Sequence, residues 1–434
     1  MSTTLTLQQA IDQRPLSWLQ VRVILLCWLV NVLDGFDLLA VAFAAPAIAE
    51  SWQLTPATLG VVFSSGLVGM TLGSLTLGPL SDRIGRRKMI LFATFALGLA
   101  TLLTSQANGL PTLLVLRFVT GLAIGGLLPS LNTLVAEYAP DRRRNFAVSI
   151  MHLGFPVGGI IGGALAAQLI PEFGWQSVFI AGGLLTLLMM PLLIVGLPES
   201  LLFLRLSKRP GAAQTANSIC AQLGITADQL QHNEPPPDQR GAAPLLRAPW
   251  LLPSVTLWSC FFFGYLTLYF LINWIPTILT AAGQSSDSAI GAGIALNLGG
   301  GVGMLVLGWL SARRPIKPMI SIFFVVAALL MVALGRFELP PAQLLTLTAI
   351  TGFFGLGGLI GLYSVAARLY TDATRASGVG LAIGAGRFGA ILGPLLGGLL
   401  IGLDWQMGDY FLLLAAPLVL AGLMIRRVQP PTLK

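Results

Sequence analysis

Twelve stretches of this chain are predominantly apolar over 18 or more residues. A helix of about 20 residues crosses the roughly 30 Å of hydrocarbon in a bilayer. The stretches run over 21–46, 57–80, 88–106, 111–136, 145–169, 175–197, 250–275, 288–311, 317–335, 342–366, 376–402 and 408–425. Only 10% of the residues are charged, against about 25% in soluble domains. We predict an all-α integral membrane protein and exclude a soluble domain, a disordered chain and a nucleic-acid binder.

A polar segment with three consecutive prolines (235–237) separates the first six spans from the last six. The predicted regions are an N-terminal segment (1–20), a first six-helix bundle (21–200), a linker (201–248), a second six-helix bundle (249–427) and a tail (428–434). No cleavable signal peptide is visible at the N-terminus.

Basic residues predict the orientation. If the N-terminus is cytoplasmic, 22 of the 25 lysines and arginines fall in cytoplasmic segments, as the positive-inside rule requires. We therefore expect both termini and the linker in the cytoplasm. We place the protein in the plasma membrane, which in a bacterium is the inner membrane.

The two halves repeat. Glycines at 154, 158, 162 and 163 recur at 389, 393, 397 and 398, and two further motifs recur at nearly the same offset. Two duplicated six-helix halves generally place a substrate site between them, near the middle of the membrane.

The segment from Gly78 to Lys88 combines Asp82, two glycines and a basic cluster between spans 2 and 3. It resembles the signature loop of the major facilitator superfamily, which implies twelve helices in two pseudo-symmetric bundles and a charged latch between conformations. The expected gate residues are Gly78, Asp82, Arg83, Gly85, Arg86, Arg87, Glu137, Arg142, Arg313 and Arg375. A plain positive-inside loop would explain the arginines but neither Asp82 nor the glycines. This segment recurs between spans 8 and 9, where Ala312 stands in place of Asp82. We therefore expect a weaker latch there.

Span 1 carries Asp34 and Asp37, and carboxylates inside a membrane helix usually mark function. The sequence Asp-Gly-Phe-Asp, with residues 273–276, 386–389 and Tyr370, resembles the aromatic acid:proton symporter family. At a helical rise of about 1.5 Å per residue, Asp37 reaches the depth of Arg117, so we expect these two to pair and Asp34 to titrate. His152 is a candidate proton relay. The alternative is a structural ion pair and a packing histidine.

Arg387 lies near the middle of span 11, with no carboxylate embedded in spans 7–12 to pair with it. We expect it to bind a substrate carboxylate; the alternative is a structural role toward the other half. Tyr265, Tyr269 and Asn273 share one face of span 7 and, with Trp274, are candidate ring contacts, although aromatic stripes often only pack. Asn31 and Asn132 complete the predicted substrate site.

The leading hypothesis is a proton-coupled importer of a small aromatic carboxylate of the benzoate or hydroxybenzoate type. The alternatives are an importer of another organic acid, such as an unsaturated dicarboxylate, and a proton antiporter exporting amphiphilic compounds. A sensor role stays open. We expect no enzyme, cofactor or metal site, since three cysteines and two histidines are scattered and no nucleophile–base pair is visible. We expect a working monomer.

Overall fold

Twelve membrane-length helices make up most of the computed structural model. The structure describes residues 7–207, 210–225, 243–311, 313–337, 339–371 and 374–429. Within these ranges, it does not describe the side chains of residues 7, 8, 145, 375 and 376. Spans 1–6 are Trp18–Trp52, Pro56–Ile84, Arg86–Thr104, Leu110–Tyr138, Asp141–Phe173 and Gln176–Gly196. Spans 7–12 are Leu251–Ala281, Ser286–Ser311, Ile316–Arg336, Pro341–Leu369, Arg375–Gly402 and Met407–Met424. The apolar runs predicted every one of these helices, and no end differs by more than six residues. The all-α twelve-helix fold class is confirmed.

Helix starts follow local capping chemistry. Ser17 accepts from the backbone N–H of Gln20, whose side chain accepts from the Ser17 N–H, so a reciprocal capping box begins span 1. Thr55 caps span 2, and Pro56 occupies the first turn, where its missing N–H costs nothing. The sequence therefore sets the depth at which the polar residues of these spans lie.

Spans 5 and 6 are each broken into two helices. Span 5 consists of Asp141–His152 and Gly154–Phe173, and span 6 of Gln176–Leu188 and Met190–Gly196. Each break precedes a proline by two or three residues, because a proline cannot donate to the preceding turn and its ring clashes with that turn's carbonyl. The break in span 5 directly follows His152.

The two halves repeat their glycine contacts. A Cβ at Gly158 would overlap the carbonyl oxygen of Val32 in span 1, and a Cβ at Gly393 would overlap that of Leu266 in span 7. Spans 5 and 11 thus approach spans 1 and 7 so closely that only glycine fits. The repeat found in the sequence is therefore a repeat of helix packing.

The halves meet through three helix packings: span 1 on span 7, span 2 on span 11, and span 5 on span 8. Several contacts lie toward the side opposite the basic loops. Ser64 donates to the Ile391 carbonyl over 2.8 Å. At Gly60 and Gly398 the backbones of spans 2 and 11 touch, since a Cβ on Gly398 would lie 3.2 Å from the Gly60 Cα. These contacts hold spans 2 and 11 together on that side. The other side, which carries residues 83–88 and 142–144, is called the basic side below.

The predicted linker is partly folded onto the first half. The described part of 201–248 contains the helices Leu201–Leu206 and Ala212–Gln222, with Leu201 and Cys220 buried. A short helix, Leu7–Asp12, precedes span 1, and the Asp12 carboxylate accepts from the Asp141 backbone N–H over 2.5 Å. Burial away from water raises the pKa of the Cys220 thiol. The prolines at 235–237 lie outside the described residues.

Candidate functional site

The first half contains the ion pair that the depth estimate predicts. The Arg117 guanidinium lies 3.3 Å from the Asp37 carboxylate, and both side chains are almost completely buried. Thr101 of span 3 donates to Asp37 over 2.5 Å, and Thr104 accepts from Arg117 over 3.0 Å. The guanidinium also stands 5.1 Å from the Phe179 ring centroid. The pair is thus well compensated, which a buried pair must be.

Asp34 lies one helical turn from Asp37 on the same span, and its surroundings are different. Its side chain has no exposed surface, and neither carboxylate oxygen has a hydrogen-bond partner. The charges that act on it are those of Arg387, in the other half, and Asp37. A buried carboxylate without a donor is costly when ionised. Asp34 is therefore a group whose charge depends on what approaches it.

Arg387 extends from span 11 toward the first half. It is 9% exposed and contacts the sulfur of Met70 in span 2, and its Nε has no partner. Within the described part of the chain, no carboxylate lies within salt-bridge distance of it. It interacts electrostatically with Asp34 and with Tyr265 and Tyr269. A guanidinium cannot release its proton in a protein, so this one needs an anion.

A cluster of three tyrosines lies beside this arginine. The rings of Tyr265 and Tyr269 are stacked, with centroids 5.4 Å apart and an interplanar angle of 11°. The Tyr265 hydroxyl is hydrogen-bonded to that of Tyr363 in span 10. A Cβ at Gly386 would lie 3.0 Å from the Tyr265 ring, so this glycine lets the ring reach the turn that carries Arg387.

Asn273 and Trp274 are already engaged with the protein. Asn273 donates to the Tyr269 carbonyl over 2.7 Å and lines a small cavity beside the Asp37–Arg117 pair. Trp274 donates to the Pro394 carbonyl over 3.0 Å, and its ring packs edge-on against Phe63. Trp274 therefore has a packing role where the halves meet.

Asn132 and His152 form a polar contact in the first half, with Asn132 Oδ1 and His152 Nε2 3.0 Å apart. Asn31 lies one turn below Asp34 with no exposed surface, and neither atom of its amide has a partner. A Cβ at Gly154 would come within 3.1 Å of the Asn31 Cβ. Span 1 therefore presents two unsatisfied polar side chains in succession, Asn31 and Asp34.

The basic side holds a second cluster of charges. Asp82 pairs with Arg86 over 2.9 Å, and Gly85 between them has φ = +110°, a backbone conformation that favours glycine. The Arg87 backbone N–H donates to the Glu199 carboxylate over 2.9 Å. Residues 82–87 are thereby tied to the end of span 6.

The remaining gate candidates are spread along the same side. Glu137 accepts from Ser200 over 2.6 Å, and Arg144 pairs with Asp141. Gly78 faces Pro129. Arg83 is in contact with another group, whereas Arg142 is exposed. The Arg313 guanidinium stands 4.4 Å from the Trp309 ring centroid. Ala312 and the side chain of Arg375 lie outside the described residues.

Sequence reasoning missed several side chains of these clusters. Thr101 and Thr104 stand out only as hydroxyls three residues apart on an apolar helix. Glu199 follows a proline at the end of span 6, which marks a helix end and not a contact. Tyr363 and Met70 give no signal, since both residue types are common in apolar spans.

Twelve membrane-length helices in two packed and repeated halves, with unpaired charges buried where the halves meet, define a secondary transporter. The sequence-family model of the Major Facilitator Superfamily matches the chain over residues 27–342 and 257–434. The chain belongs to this superfamily and, within it, to the aromatic acid:proton symporter family. It is a multi-pass membrane protein and not an enzyme.

The chain is similar over nearly its whole length to curated transporters. It is 38% identical to a gallate transporter of Pseudomonas putida, over 96% of this chain and 93% of the relative. It is 36% identical to the 4-hydroxybenzoate transporter PcaK of the same organism, over 96% and 94%. A solved D-xylose-proton symporter superposes with a TM-score of 0.72 at 17% identity, covering 94% of this chain and 98% of that one. That likeness shows the fold alone.

Proposed function

We propose that this protein imports a small aromatic carboxylate together with protons by alternating access. The observation that carries the proposal is the pair of buried, unsatisfied charges at the junction of the halves. Arg387 has no anion within salt-bridge distance among the described residues, and Asp34 has no hydrogen-bond donor. A carboxylate substrate satisfies the first, and a proton satisfies the second.

The substrate carboxylate binds Arg387 through two parallel N–H···O contacts, which the planar guanidinium provides and an ammonium does not. The ring then lies against the stacked pair Tyr265 and Tyr269, whose faces favour offset or edge contacts with another aromatic ring. The relatives named for gallate and 4-hydroxybenzoate support an aromatic substrate.

Asp34 carries the proton. Removal from water favours its neutral form, and an approaching guanidinium favours its charged form, so conformation and substrate can shift its charge. Asp37 and Arg117 hold span 1 at a fixed register against spans 3 and 4. His152 and Asn132 form the polar route beside it toward the basic side.

The gate works on the basic side, which we assign to the cytoplasm, with both termini there and the protein in the plasma membrane. The halves rock as two bundles joined by 201–248. The Asp82–Arg86 and Arg87–Glu199 contacts stabilise one position of spans 2, 3 and 6. A single chain contains every group used here, so a monomer suffices.

Uptake by proteoliposomes with an acidic exterior tests the proposal. We expect accumulation of radiolabelled 4-hydroxybenzoate, and none by an Arg387→Gln protein. Arg336→Gln is the matched control, since that arginine is half exposed, away from the site, and paired with Asp409. Uptake that survives Arg387→Gln contradicts the proposed anchor. Export of lipophilic cations without uptake of any acid would support the antiporter instead.

A further inference from the structure

Four charged side chains lie deep in the membrane-spanning helices of the described chain, seven or more residues from either helix end: Asp34, Asp37, Arg117 and Arg387. Two of the charges cancel locally, because Asp37 and Arg117 form an ion pair with nearly no exposure. The other two, Asp34 and Arg387, belong to opposite halves and interact only at longer range.

The remaining neighbours of Asp34 add no fixed charge. From span 7 the group that acts with it is the Tyr269 hydroxyl. On span 4 the deep charge is Arg117, which Asp37 neutralises. On span 5, His152 is bonded to the Asn132 amide and has no acidic partner, so it counts as neutral. Span 6 between Gln176 and Gly196 has no titratable side chain.

We infer that the site carries one monoanionic carboxylate with one proton, and that transport is electroneutral. This rests on the proposed function. With nothing bound, Asp34 and Arg387 balance. With both bound, the substrate anion balances Arg387, and the proton neutralises Asp34. With only one bound, a single uncompensated charge stays in the closed site.

The half-loaded carrier is therefore the state that cannot close. Enclosing the site removes water from its charges, and an unpartnered buried charge is strongly unfavourable. The empty and the fully loaded carrier enclose no net charge, so both can close. This rule couples the two cargoes without a direct contact between the proton and the substrate.

The same balance selects the substrate class. Arg387 is the one deep cation of the described residues that lacks a carboxylate partner, so it compensates one negative charge. A dicarboxylate ionised at both ends leaves one charge over, even with Asp34 protonated. Monoanions of the benzoate and hydroxybenzoate type therefore fit, and dicarboxylates do not.

The first experiment separates the two components of the driving force. Proteoliposomes receive either an acidic exterior at zero potential or an inside-negative potassium diffusion potential of about 100 mV at equal pH. We expect the pH gradient alone to drive 4-hydroxybenzoate accumulation above that of protein-free vesicles. The potential alone should change neither rate nor plateau.

Accumulation driven by an inside-negative potential would mean more than one proton per anion and overturn the inference. Export driven by that potential would mean an anion carried alone, with the same consequence. In both cases the aromatic acid is still transported, so the proposed function stands. No transport under either gradient would contradict the proposed function as well.

The second experiment changes substrate charge at nearly constant shape. Terephthalate and its monomethyl ester share ring and para substitution but carry two charges and one at neutral pH. We expect the ester to compete with 4-hydroxybenzoate uptake, and terephthalate to compete on the order of 100-fold more weakly. Equal competition by terephthalate would overturn the one-charge rule.

The third experiment uses Asp34→Asn, which leaves the empty site with an uncompensated Arg387 but keeps the loaded site neutral. This variant should exchange external for internal substrate at close to the normal rate and should not accumulate substrate. Accumulation driven by a pH gradient in this variant would place the proton on another group, with His152 first. Loss of exchange in a protein with wild-type substrate affinity would also contradict the rule.

Discussion

At the position where span 5 of the first half carries His152, span 11 of the second half carries Arg387. The surrounding glycines occupy the same places and make the same contacts, since Gly158 meets Val32 as Gly393 meets Leu266. The backbone packing of the duplicated unit has thus been kept, while the side chain at the centre has changed from an imidazole to a permanent cation.

Spans 1 and 7 differ in the same manner. In the register that these glycine contacts define, with Val32 matched to Leu266, Asp34 corresponds to Leu268. Gly35, whose Cβ would overlap the Phe155 carbonyl oxygen, corresponds to Tyr269. One half therefore supplies acid groups on a closely packed helix, and the other supplies aromatic rings and the cation. In the proposed site, a substrate bound between them would meet different chemistry on each side, although the two sides share one scaffold.

The largest effect on substrate binding should come from the pair His152 and Arg387. Loss of a charge-assisted contact with an anion in a site shielded from water costs about 2–5 kcal/mol, which weakens binding about 30-fold or more. Arg387→Ala should show this loss in calorimetry of 4-hydroxybenzoate binding to solubilised protein. Arg387→Lys should fail nearly as badly, because lysine lacks the planar fork.

His152→Ala is the matched change in the first half and should weaken binding less than about tenfold. Unchanged affinity in the Arg387→Ala protein would shift the anchor to Arg117 and reverse the assignment of the two halves.

The ion pair of the first half has no counterpart in the second, where Leu271 and Thr348 occupy the equivalent places. Asp37→Asn leaves Arg117 buried without its anion and should lower the free energy of unfolding by about 3–5 kcal/mol. The double variant Asp37→Asn, Arg117→Gln should recover part of that loss, which thermal unfolding in detergent would measure. A double variant less stable than the sum of both single changes would show that the charges themselves are required for folding.

The two predicted latch segments also differ, because Asp82 corresponds to Ala312. Asp82→Asn removes the carboxylate that pairs with Arg86 and should reduce the initial uptake rate about tenfold, with substrate affinity and expression unchanged. Ala312→Asp should have a mild effect. A normal uptake rate in the Asp82→Asn protein would exclude residue 82 from the gate.

The glycine contacts should respond alike in both halves. Gly158→Ala and Gly393→Ala each force a methyl group against a backbone carbonyl and should destabilise by about 1–3 kcal/mol. Gly380→Ala, whose Cβ would have no atom within 4 Å, is the control and should be neutral or stabilising. If only one of these two variants is destabilised, the two glycines are equivalent in sequence but not in helix packing.

The smallest effect should come from Tyr269→Phe, which keeps the ring stacked on Tyr265 and removes one hydroxyl. A neutral hydrogen bond contributes about 1 kcal/mol, so affinity should fall only several-fold. The fall should be larger for 4-hydroxybenzoate than for benzoate. Calorimetry with the two acids would show whether the hydroxyl contacts the ring substituent.

The sequence predicted the helices well because spanning lipid leaves few choices. Every backbone group must be satisfied within its own helix, so apolar length fixes the elements. The pairing of Asp37 with Arg117 followed from depth alone, since both positions count along helices of constant rise. The breaks in spans 5 and 6 were missed, although Pro156 and Pro191 signal them.

Contacts between helices were harder to predict. Depth does not determine which way a side chain points, so it could not show that Trp274 packs on Phe63 or that Glu199 meets Arg87. Tyr363 joins Tyr265 only because spans 7 and 10 lie close together, and no spacing in the chain encodes that contact. The roles of Arg387 and Asp34 stay predictions until transport is measured.

The contact between Gly60 and Gly398 bears on the rate at which spans 2 and 11 separate. Backbone meets backbone there, so at this point spans 2 and 11 can separate without a side chain changing rotamer. The resistance to opening at this point comes from dispersion forces and from the entry of water, both of which vary smoothly with distance. The two backbones can therefore separate in small steps. A single methyl group added to Gly60 or Gly398 would instead hold spans 2 and 11 apart.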